Sequence, residues 1–175
     1  MSNNYKLSTI IESIFLVVFV LFLRFASGML SWLEIVFCFA LAGLCAGGVF
    51  INNKILVVAG AGILGLLYGI YFIRFLINIR YFFEYGEYVV YYLLTLLLYI
   101  SMLAIAASII LEFLGIMPDL ANMIIKFGPI VITVLVVIMC IYGIIINGTN
   151  FSYLMNLIYI LQASIVSFAH RYFSE

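Results

Sequence analysis

Apolar residues run along this chain in six long stretches, and polar residues occur mainly in the short segments between them. Within a stretch the apolar residues are continuous and do not alternate with the period of two that a barrel strand needs. Backbone amides in hydrocarbon must bond within their own segment, and a helix of roughly 20 residues does this across a bilayer. The pattern therefore predicts six transmembrane helices, at about 9–30, 32–51, 55–77, 88–113, 129–146 and 151–169.

The links between these stretches are short and rich in glycine and asparagine, notably 52–54 and 147–150. Links of this kind form tight turns that join antiparallel neighbours. We therefore predict an all-α fold, a polytopic transmembrane helical bundle with antiparallel hairpins, formed by a single domain over residues 1–175. Five spans are the alternative, because the last stretch carries the polar residues Asn156 and Gln162.

The first stretch has features of a secretory signal, because Lys6 precedes an apolar run that ends in small residues. Glu12 and Arg24 do not fit such a signal, so we predict a retained first span. Thr9 and Glu12 also match a capping box, in which each side chain bonds a free amide at the start of a helix. This motif predicts that the first helix begins at Thr9.

Two longer links interrupt the series. The first extends the third helix, with Arg80 and Glu84 at i,i+4 spacing and with several tyrosines, which favour the lipid headgroup layer. In the second, we expect Pro129 in the first turn of the fifth span, where its missing N–H costs nothing. Residues 120–127 before it are compatible with a short helix along the membrane interface. A kinked or re-entrant fifth span is the alternative.

The composition places the whole chain in a bilayer. Only 8% of the residues are charged and 69% are hydrophobic, against about 25% charged in a soluble domain. The spans leave no room for a soluble domain, so the lipid bilayer is the predicted partner. The 7 basic and 7 acidic residues cancel, which excludes the basic surface needed to bind nucleic acid.

The basic residues are unequally divided between the two sides of this threading. Lys6, Lys54, Lys126 and Arg171 fall on one side, and Arg80 falls in a loop on the other. Cytoplasmic loops carry the excess of lysine and arginine. We therefore predict that the N-terminus and the C-terminus are both cytoplasmic, in a membrane that the sequence does not specify.

Arg24 and Glu34 are the charged residues whose position most needs an explanation. They stand at similar distances from the turn between the first two spans, so they are expected at the same depth on adjacent antiparallel helices. We predict a candidate intramembrane ion pair between them. A hairpin staple or two interfacial anchors is the structural interpretation, and the handling of an ion or substrate is the functional one.

Small residues recur at four-residue spacing in the second and third spans. Gly43 and Gly47 form a G-x-x-x-G motif, and Ala61, Gly65 and Gly69 repeat the same spacing. Such residues let helix backbones approach closely in membranes. We predict that the second and third spans pack through these positions, with docking onto another subunit or a second copy as the alternative use.

Glu112 is expected near the cytoplasmic side, at the end of the fourth span. Arg74 lies on the opposite side of the threading, so the two residues cannot pair. Lys54 and Lys126 are the expected partners of Glu112.

The remaining reactive residues suggest no catalytic chemistry. Cys38, Cys45 and Cys140 lie in apolar runs without metal-ligand spacing, and we assign them to packing. His170 is the only histidine, and we interpret it as a residue at a span boundary. Motifs such as H-E-x-x-H and G-x-S-x-G do not occur. We therefore expect no enzyme, no catalytic residue, no metal site and no cofactor.

Two functional classes remain. The first is a non-catalytic, membrane-embedded subunit or accessory protein of a larger complex, which would contact other membrane subunits or form a homo-oligomer. The second is a small transporter or channel for a neutral or hydrophobic solute, and a lipid-modifying membrane enzyme is third. The small number of polar residues within the spans and the lack of an inverted repeat favour the subunit.

Overall fold

The computed structural model describes residues 2–28, 30–84, 89–148 and 151–174. Within these residues the chain is all-helical and contains no strand. The six α-helices are α1 (Ser2–Ser27), α2 (Trp32–Phe50), α3 (Lys54–Glu84), α4 (Val89–Phe113), α5 (Pro118–Asn147) and α6 (Leu157–Ser174), and a 3₁₀ helix (Phe151–Asn156) precedes α6.

Five of these helices are long enough and apolar enough to cross a membrane: Asn3–Ala26, Trp32–Phe50, Lys54–Arg80, Val89–Phe113 and Pro118–Ile146. Each exceeds the length that the hydrocarbon core of a bilayer requires, except the second, which just matches it. Such helices indicate an integral membrane protein.

The last helix, α6, differs from the other five in both composition and position. It is not among the helices that reach the apolarity of a span, and it contacts all five other helices. Its buried residues include the polar side chains Gln162, Ser167 and His170, each at most 2% exposed. These polar groups therefore face protein, which is where polar residues of membrane helices are normally found.

Contacts between helix ends place several of the charged residues together at one end of the bundle. The ring of Tyr5 lies 6.0 Å from that of Phe168, and Arg171 stacks over Tyr5 at 5.8 Å. The N-terminus and the C-terminus of the described chain therefore share one end, here called the terminal end. The opposite end contains the α1–α2 turn and the last turns of α3.

The predicted start of α1 is wrong. The helix begins at Ser2, so Thr9 lies well inside it, and its hydroxyl donates to the Tyr5 carbonyl at 2.8 Å. Thr9 and Glu12 therefore do not form a capping box. In the segment before Thr9, Tyr5 packs against Phe168 of α6, and Lys6 Nζ lies 6.0 Å from the ring of Tyr172.

The predicted division before the fifth span is also wrong. α5 is continuous from Pro118 to Asn147, and Pro129 lies inside it. A proline within a helix removes one backbone hydrogen bond, yet α5 continues through Pro129. A Cβ atom at Gly128 would lie 2.6 Å from the side chain of Ile105 on α4, so the two helices touch directly beside the proline.

The α2–α3 hairpin is tightest at glycines next to the predicted motif. A Cβ at Gly60 would lie 2.7 Å from Cys45 Sγ, and one at Gly48 would lie 3.0 Å from the Asn53 carbonyl oxygen. A Cβ at Gly43 or Gly47 would meet no atom within 4 Å. The close approach therefore uses Gly48 and Gly60, and Gly43 is exposed on the outer face of α2.

The small residues of α3 face different surroundings. Ala61 is fully buried, and a Cβ at Gly65 would make an ordinary contact of 3.4 Å with Ala106 on α4. A Cβ at Gly69 would meet no atom within 4 Å. The stripe therefore does not form one continuous seam against α2.

Candidate functional site

A chain of buried polar side chains connects α2, α3 and α6. The hydroxyl of Tyr68 donates to Gln162 Oε1, and Gln162 Nε2 donates to Cys38 Sγ at 3.2 Å. All three residues are at most 2% exposed. A buried amide is costly unless it is hydrogen-bonded, and here both ends of the Gln162 amide have partners.

Glu34 and Tyr71 join the same region to the opposite end of the bundle. The Tyr71 hydroxyl donates to Glu34 Oε1 at 2.6 Å. The other carboxylate oxygen accepts from Ser31 N at 2.7 Å and from Ser31 Oγ at 2.8 Å. The bond from Ser31 N, together with a bond from Glu34 N to Ser31 Oγ at 3.2 Å, forms a capping box that starts α2. Glu34 therefore caps one helix and holds a tyrosine of another.

A small cavity lies between these groups. Its volume is about 40 Å³, and its polar and aromatic lining comprises Glu34, Cys38, Tyr68, Tyr71, Tyr159 and Gln162. A cavity of this size has room for one to a few water molecules. We call it the inner cavity.

A larger groove opens between α3 and α4. Its volume is about 300 Å³, and its lining includes Tyr71, Arg74, Asn78, Tyr91, Tyr92 and Tyr99. This volume is at the lower end of the range for small-molecule sites. We call it the outer groove. Tyr71 lines both the outer groove and the inner cavity, so the two spaces meet at this residue.

Aromatic rings form a continuous packed group around Tyr71. The ring centroids of Tyr71 and Tyr99 are 5.8 Å apart, and those of Tyr68 and Tyr71 are also 5.8 Å apart. Tyr159 continues the group, with its ring 6.1 Å from that of Tyr68. These distances are typical of packed aromatic pairs, which provide rigid apolar surface together with hydroxyl groups.

Arg74 is the cationic side chain of the outer groove. The ion pairs among the described residues join Glu112 to Lys54 and to His170, so none of them involves Arg74. Asn78 Nδ2 donates to the Arg74 carbonyl oxygen at 2.8 Å, one turn along the same helix face. Arg74 is exposed, and it lines the groove together with four tyrosines.

Arg24 and Glu34 lie at the same end of the bundle, as expected, but each bonds to other partners. Arg24 Nη1 donates to the Leu30 carbonyl oxygen at 2.8 Å and to that of Gly28 at 3.1 Å. Its guanidinium also stacks over the Trp32 ring at 4.9 Å. Arg24 therefore binds the backbone of the α1–α2 turn, while Glu34 binds Ser31 and Tyr71.

A second polar cluster lies at the terminal end. His170 Nε2 contacts the Glu112 carboxylate, and Lys54 Nζ lies 3.8 Å from Glu112 Oε1. The prediction that Lys54 is a partner of Glu112 is confirmed. His170 is only 1% exposed, so its interpretation as a boundary residue missed its burial. The antiparallel order of the helices could have revealed it, since α4 and α6 end at the same side.

The cysteines lie apart from one another as free thiols. Cys38 and Cys45 are buried, and Cys140 accepts a weak hydrogen bond from Asn156 Nδ2 at 3.6 Å. Within the part of the chain that the structure describes, no group of three or more His, Cys, Asp or Glu residues could hold a metal ion. The predicted contact of Arg80 with Glu84 lies outside the described side chains.

The sequence and the fold were also compared with known proteins. No family model matches the chain, and neither a curated protein nor a solved structure matches it.

Proposed function

We propose that this protein is a small membrane transporter that takes up a solute through the outer groove and passes it to the bundle interior. The observation that carries the proposal is the position of Tyr71, which lines both the outer groove and the inner cavity. Beyond Tyr71 lie the polar groups of Glu34 and Gln162. Polar residues within membrane helices commonly mark substrate pathways, because burying them in a bilayer is costly.

In this proposal Tyr71 acts as a gate. Its hydroxyl is held by Glu34 at 2.6 Å, and a rotation of the side chain would break that bond and join the two spaces. The inner cavity, at about 40 Å³, is too small for an organic solute, so passage also requires α6, which carries Tyr159 and Gln162, to move relative to α3. Rocking of helices around a site is the usual mechanism of secondary transport.

The charges support an orientation for this pathway. Lys6 and Arg171 stack on aromatic rings at the terminal end, where Lys54 and Lys126 also lie. We propose that this end is cytoplasmic, in keeping with the excess of basic residues on that side of membranes. The outer groove would then open toward the external face.

The native cysteines allow a direct test of the pathway. Cys38 lines the inner cavity behind Tyr71, whereas Cys45 is buried on the same helix and lines neither space. A membrane-impermeant methanethiosulfonate reagent would be added to intact proteoliposomes, and the labelled peptides would be quantified by mass spectrometry. We expect Tyr71→Ala to increase the labelling rate of Cys38 at least tenfold and to leave Cys45 unlabelled.

Tyr142→Ala is the matched control, because Tyr142 lines neither the inner cavity nor the outer groove. It should leave the labelling of Cys38 at the wild-type rate. If Cys38 stays unlabelled in a Tyr71→Ala variant that remains monodisperse in detergent, the groove does not lead into the bundle. The transporter would then be rejected.

A membrane-embedded subunit is the second candidate, and the outer face of α2 favours it. Gly43 is exposed there, and the space beside it and beside Gly47 is open. Small exposed residues allow another membrane helix to approach closely. Purification in mild detergent tests this candidate: a stoichiometric partner that is lost on Gly43→Leu supports it. The lipid-modifying enzyme gains no support from the contacts described above.

A further inference from the structure

The outer groove combines aromatic walls with a single type of charge. Tyr71, Tyr91, Tyr92 and Tyr99 supply rings and hydroxyl groups, and Arg74 supplies a guanidinium. No acidic residue lines the groove among the residues that the structure describes. A ligand that complements this lining has an apolar or ring-shaped body and a negatively charged group.

We infer that the outer groove binds a small amphipathic organic anion, such as a ring-bearing carboxylate, with the anionic group on Arg74 and the apolar body against the tyrosines. This inference rests on the proposed function, in which the groove is the entry to the transport pathway. It specifies the class of solute, which the sequence predicted to be neutral or hydrophobic.

Arginine suits this role better than any other side chain. Its planar fork can donate two parallel hydrogen bonds to one carboxylate, and it keeps its charge under all physiological conditions. Arg74 lies within the candidate span Lys54–Arg80. Charge pairs at such a depth are weakened less by water than pairs on a fully solvated surface.

Glu34 does not offset this preference. Its carboxylate lines the inner cavity and is absent from the lining of the outer groove. Both of its oxygens already accept hydrogen bonds, from the Tyr71 hydroxyl and from Ser31. A cationic ligand in the outer groove would therefore meet Arg74 before any carboxylate of the described residues.

The local geometry also holds Arg74 toward the groove. Arg74 and Phe75 lie three and four residues after Tyr71, and Asn78 lies one turn after both, so the four residues share one side of α3. Phe75 is 8% exposed, and its ring packs against Tyr99 of α4 at 6.4 Å. This packing directs the face of α3 that carries Arg74 toward α4.

The test uses three probes that share a phenyl ring and differ in charge: 3-phenylpropanoate, 3-phenylpropanamide and phenylethylammonium. Their dissociation constants for the purified full-length protein would be measured by calorimetry in a neutral detergent, with protein-free micelles subtracted. We expect the anion to bind at least tenfold more tightly than the neutral and cationic probes, as the loss of one charged hydrogen-bonding partner normally implies.

Substitutions of Arg74 and Arg80, two arginines of α3, test whether the preference for the anion depends on Arg74. Arg74→Gln should remove the preference for the anion and leave weak binding of the neutral probe. Arg74→Lys should retain part of the preference, because it keeps the charge and loses the fork. Arg80→Gln removes the same charge from a residue that does not line the groove, and it should preserve the preference.

Each other outcome has a definite reading. Equal binding of the three probes, or a preference for the anion that survives Arg74→Gln, would overturn the inference that the ligand is an anion held by Arg74. The proposed transport function would not be affected by that result. Displacement of the anion by equimolar phosphatidylglycerol would show that the groove binds a lipid headgroup, and it would overturn the inference that the ligand is a soluble organic anion. Absence of binding by all three probes would overturn the inference, whereas the labelling of Cys38 would still decide the transporter independently.

Discussion

His170 near the end of α6 contacts the carboxylate of Glu112 near the end of α4, which links the last helix of the chain to a helix from its middle. Lys54 at the start of α3 approaches the same carboxylate at 3.8 Å. Three helices that are distant in sequence therefore meet at one acidic group. Because the side chain of Glu112 is only 12% exposed, this contact is sheltered from water.

Removing the charge of Glu112 should destabilise the protein. Glu112→Gln keeps the volume of the side chain and leaves Lys54 and His170 without their anionic partner. We expect the free energy of unfolding to fall by roughly 1–3 kcal/mol, as is typical when a buried group loses its hydrogen-bonding partner. Unfolding of the purified protein by heat or by a denaturing detergent would measure the loss.

Asp119→Asn is the matched control, because Asp119 is an exposed acid in the first turn of α5. Its loss should cost less than about 1 kcal/mol, the range for a charge at a helix end. The double variant Glu112→Leu/His170→Leu should be more stable than Glu112→Leu alone, because it leaves no buried imidazole without a partner. Strict additivity of the two substitutions would contradict the coupling.

The Tyr68–Gln162 hydrogen bond should also show coupling. Gln162→Leu leaves the buried Tyr68 hydroxyl without its acceptor, and we expect a loss of roughly 1–3 kcal/mol. Adding Tyr68→Phe removes the hydroxyl and should recover part of that loss. A thermal-stability comparison of the wild type, the two single variants and the double variant provides the cycle. If Tyr68→Phe lowers stability further in the Gln162→Leu background, the bond is not the reason for the loss.

Gly60 should not tolerate even a methyl group. Gly60→Ala places a Cβ at 2.7 Å from Cys45 Sγ, and overpacking of this kind normally costs about 1–3 kcal/mol. Adding Cys45→Ala removes the sulfur atom and should restore most of the stability. Melting temperatures of the single and double variants would test this compensation.

Gly43→Ala supplies the comparison within the same hairpin. A Cβ at Gly43 would meet no atom within 4 Å, and alanine is favoured over glycine inside a helix by roughly 1 kcal/mol. We expect a neutral or slightly raised melting temperature. A large loss at Gly43 together with none at Gly60 would show that the hairpin packs through the G-x-x-x-G motif instead.

The orientation of the bundle can be tested with single cysteines. Lys126 and Arg80 are exposed residues at opposite ends, so an impermeant maleimide should label Arg80→Cys on intact cells and Lys126→Cys only after permeabilisation. An epitope tag at the C-terminus should likewise become accessible to antibody only after the cells are permeabilised. Accessibility of the tag on intact cells would instead favour five spans and an external C-terminus.

Hydropathy alone predicted the membrane class and the positions of most helices, because the length and composition of a span depend on the bilayer and not on tertiary contacts. The partner of Glu112 also followed from the sequence, since antiparallel threading brings Lys54 to the same side. The start of α1 and the continuity of α5 did not follow, because Thr9 and Pro129 carry end signals that packing overrides in this fold.

The candidate site was harder to predict than the fold. In a helix that is apolar on every face, the pattern does not show which face turns inward, so Gly43 could not be distinguished from Gly60. The outer groove depends on the rotation of α3 and α4 about their axes, which places Arg74 and Tyr99 in the same lining. The positions of the charges along the chain led to the prediction that Arg24 and Glu34 form an ion pair. Their hydrogen-bonding partners depend instead on the α1–α2 turn, which Arg24 binds, and on Ser31 and Tyr71, which Glu34 binds.

The central position of α6 has a consequence for how the protein is assembled. A helix whose polar side chains Gln162, Ser167 and His170 are buried gains its favourable surroundings only from α1 to α5, and those helices are synthesised first. On its own, α6 would enter hydrocarbon at a cost that these groups impose. The placement of α6 should therefore depend on the five helices that bury these groups, so a packing defect in any one of them should also displace α6.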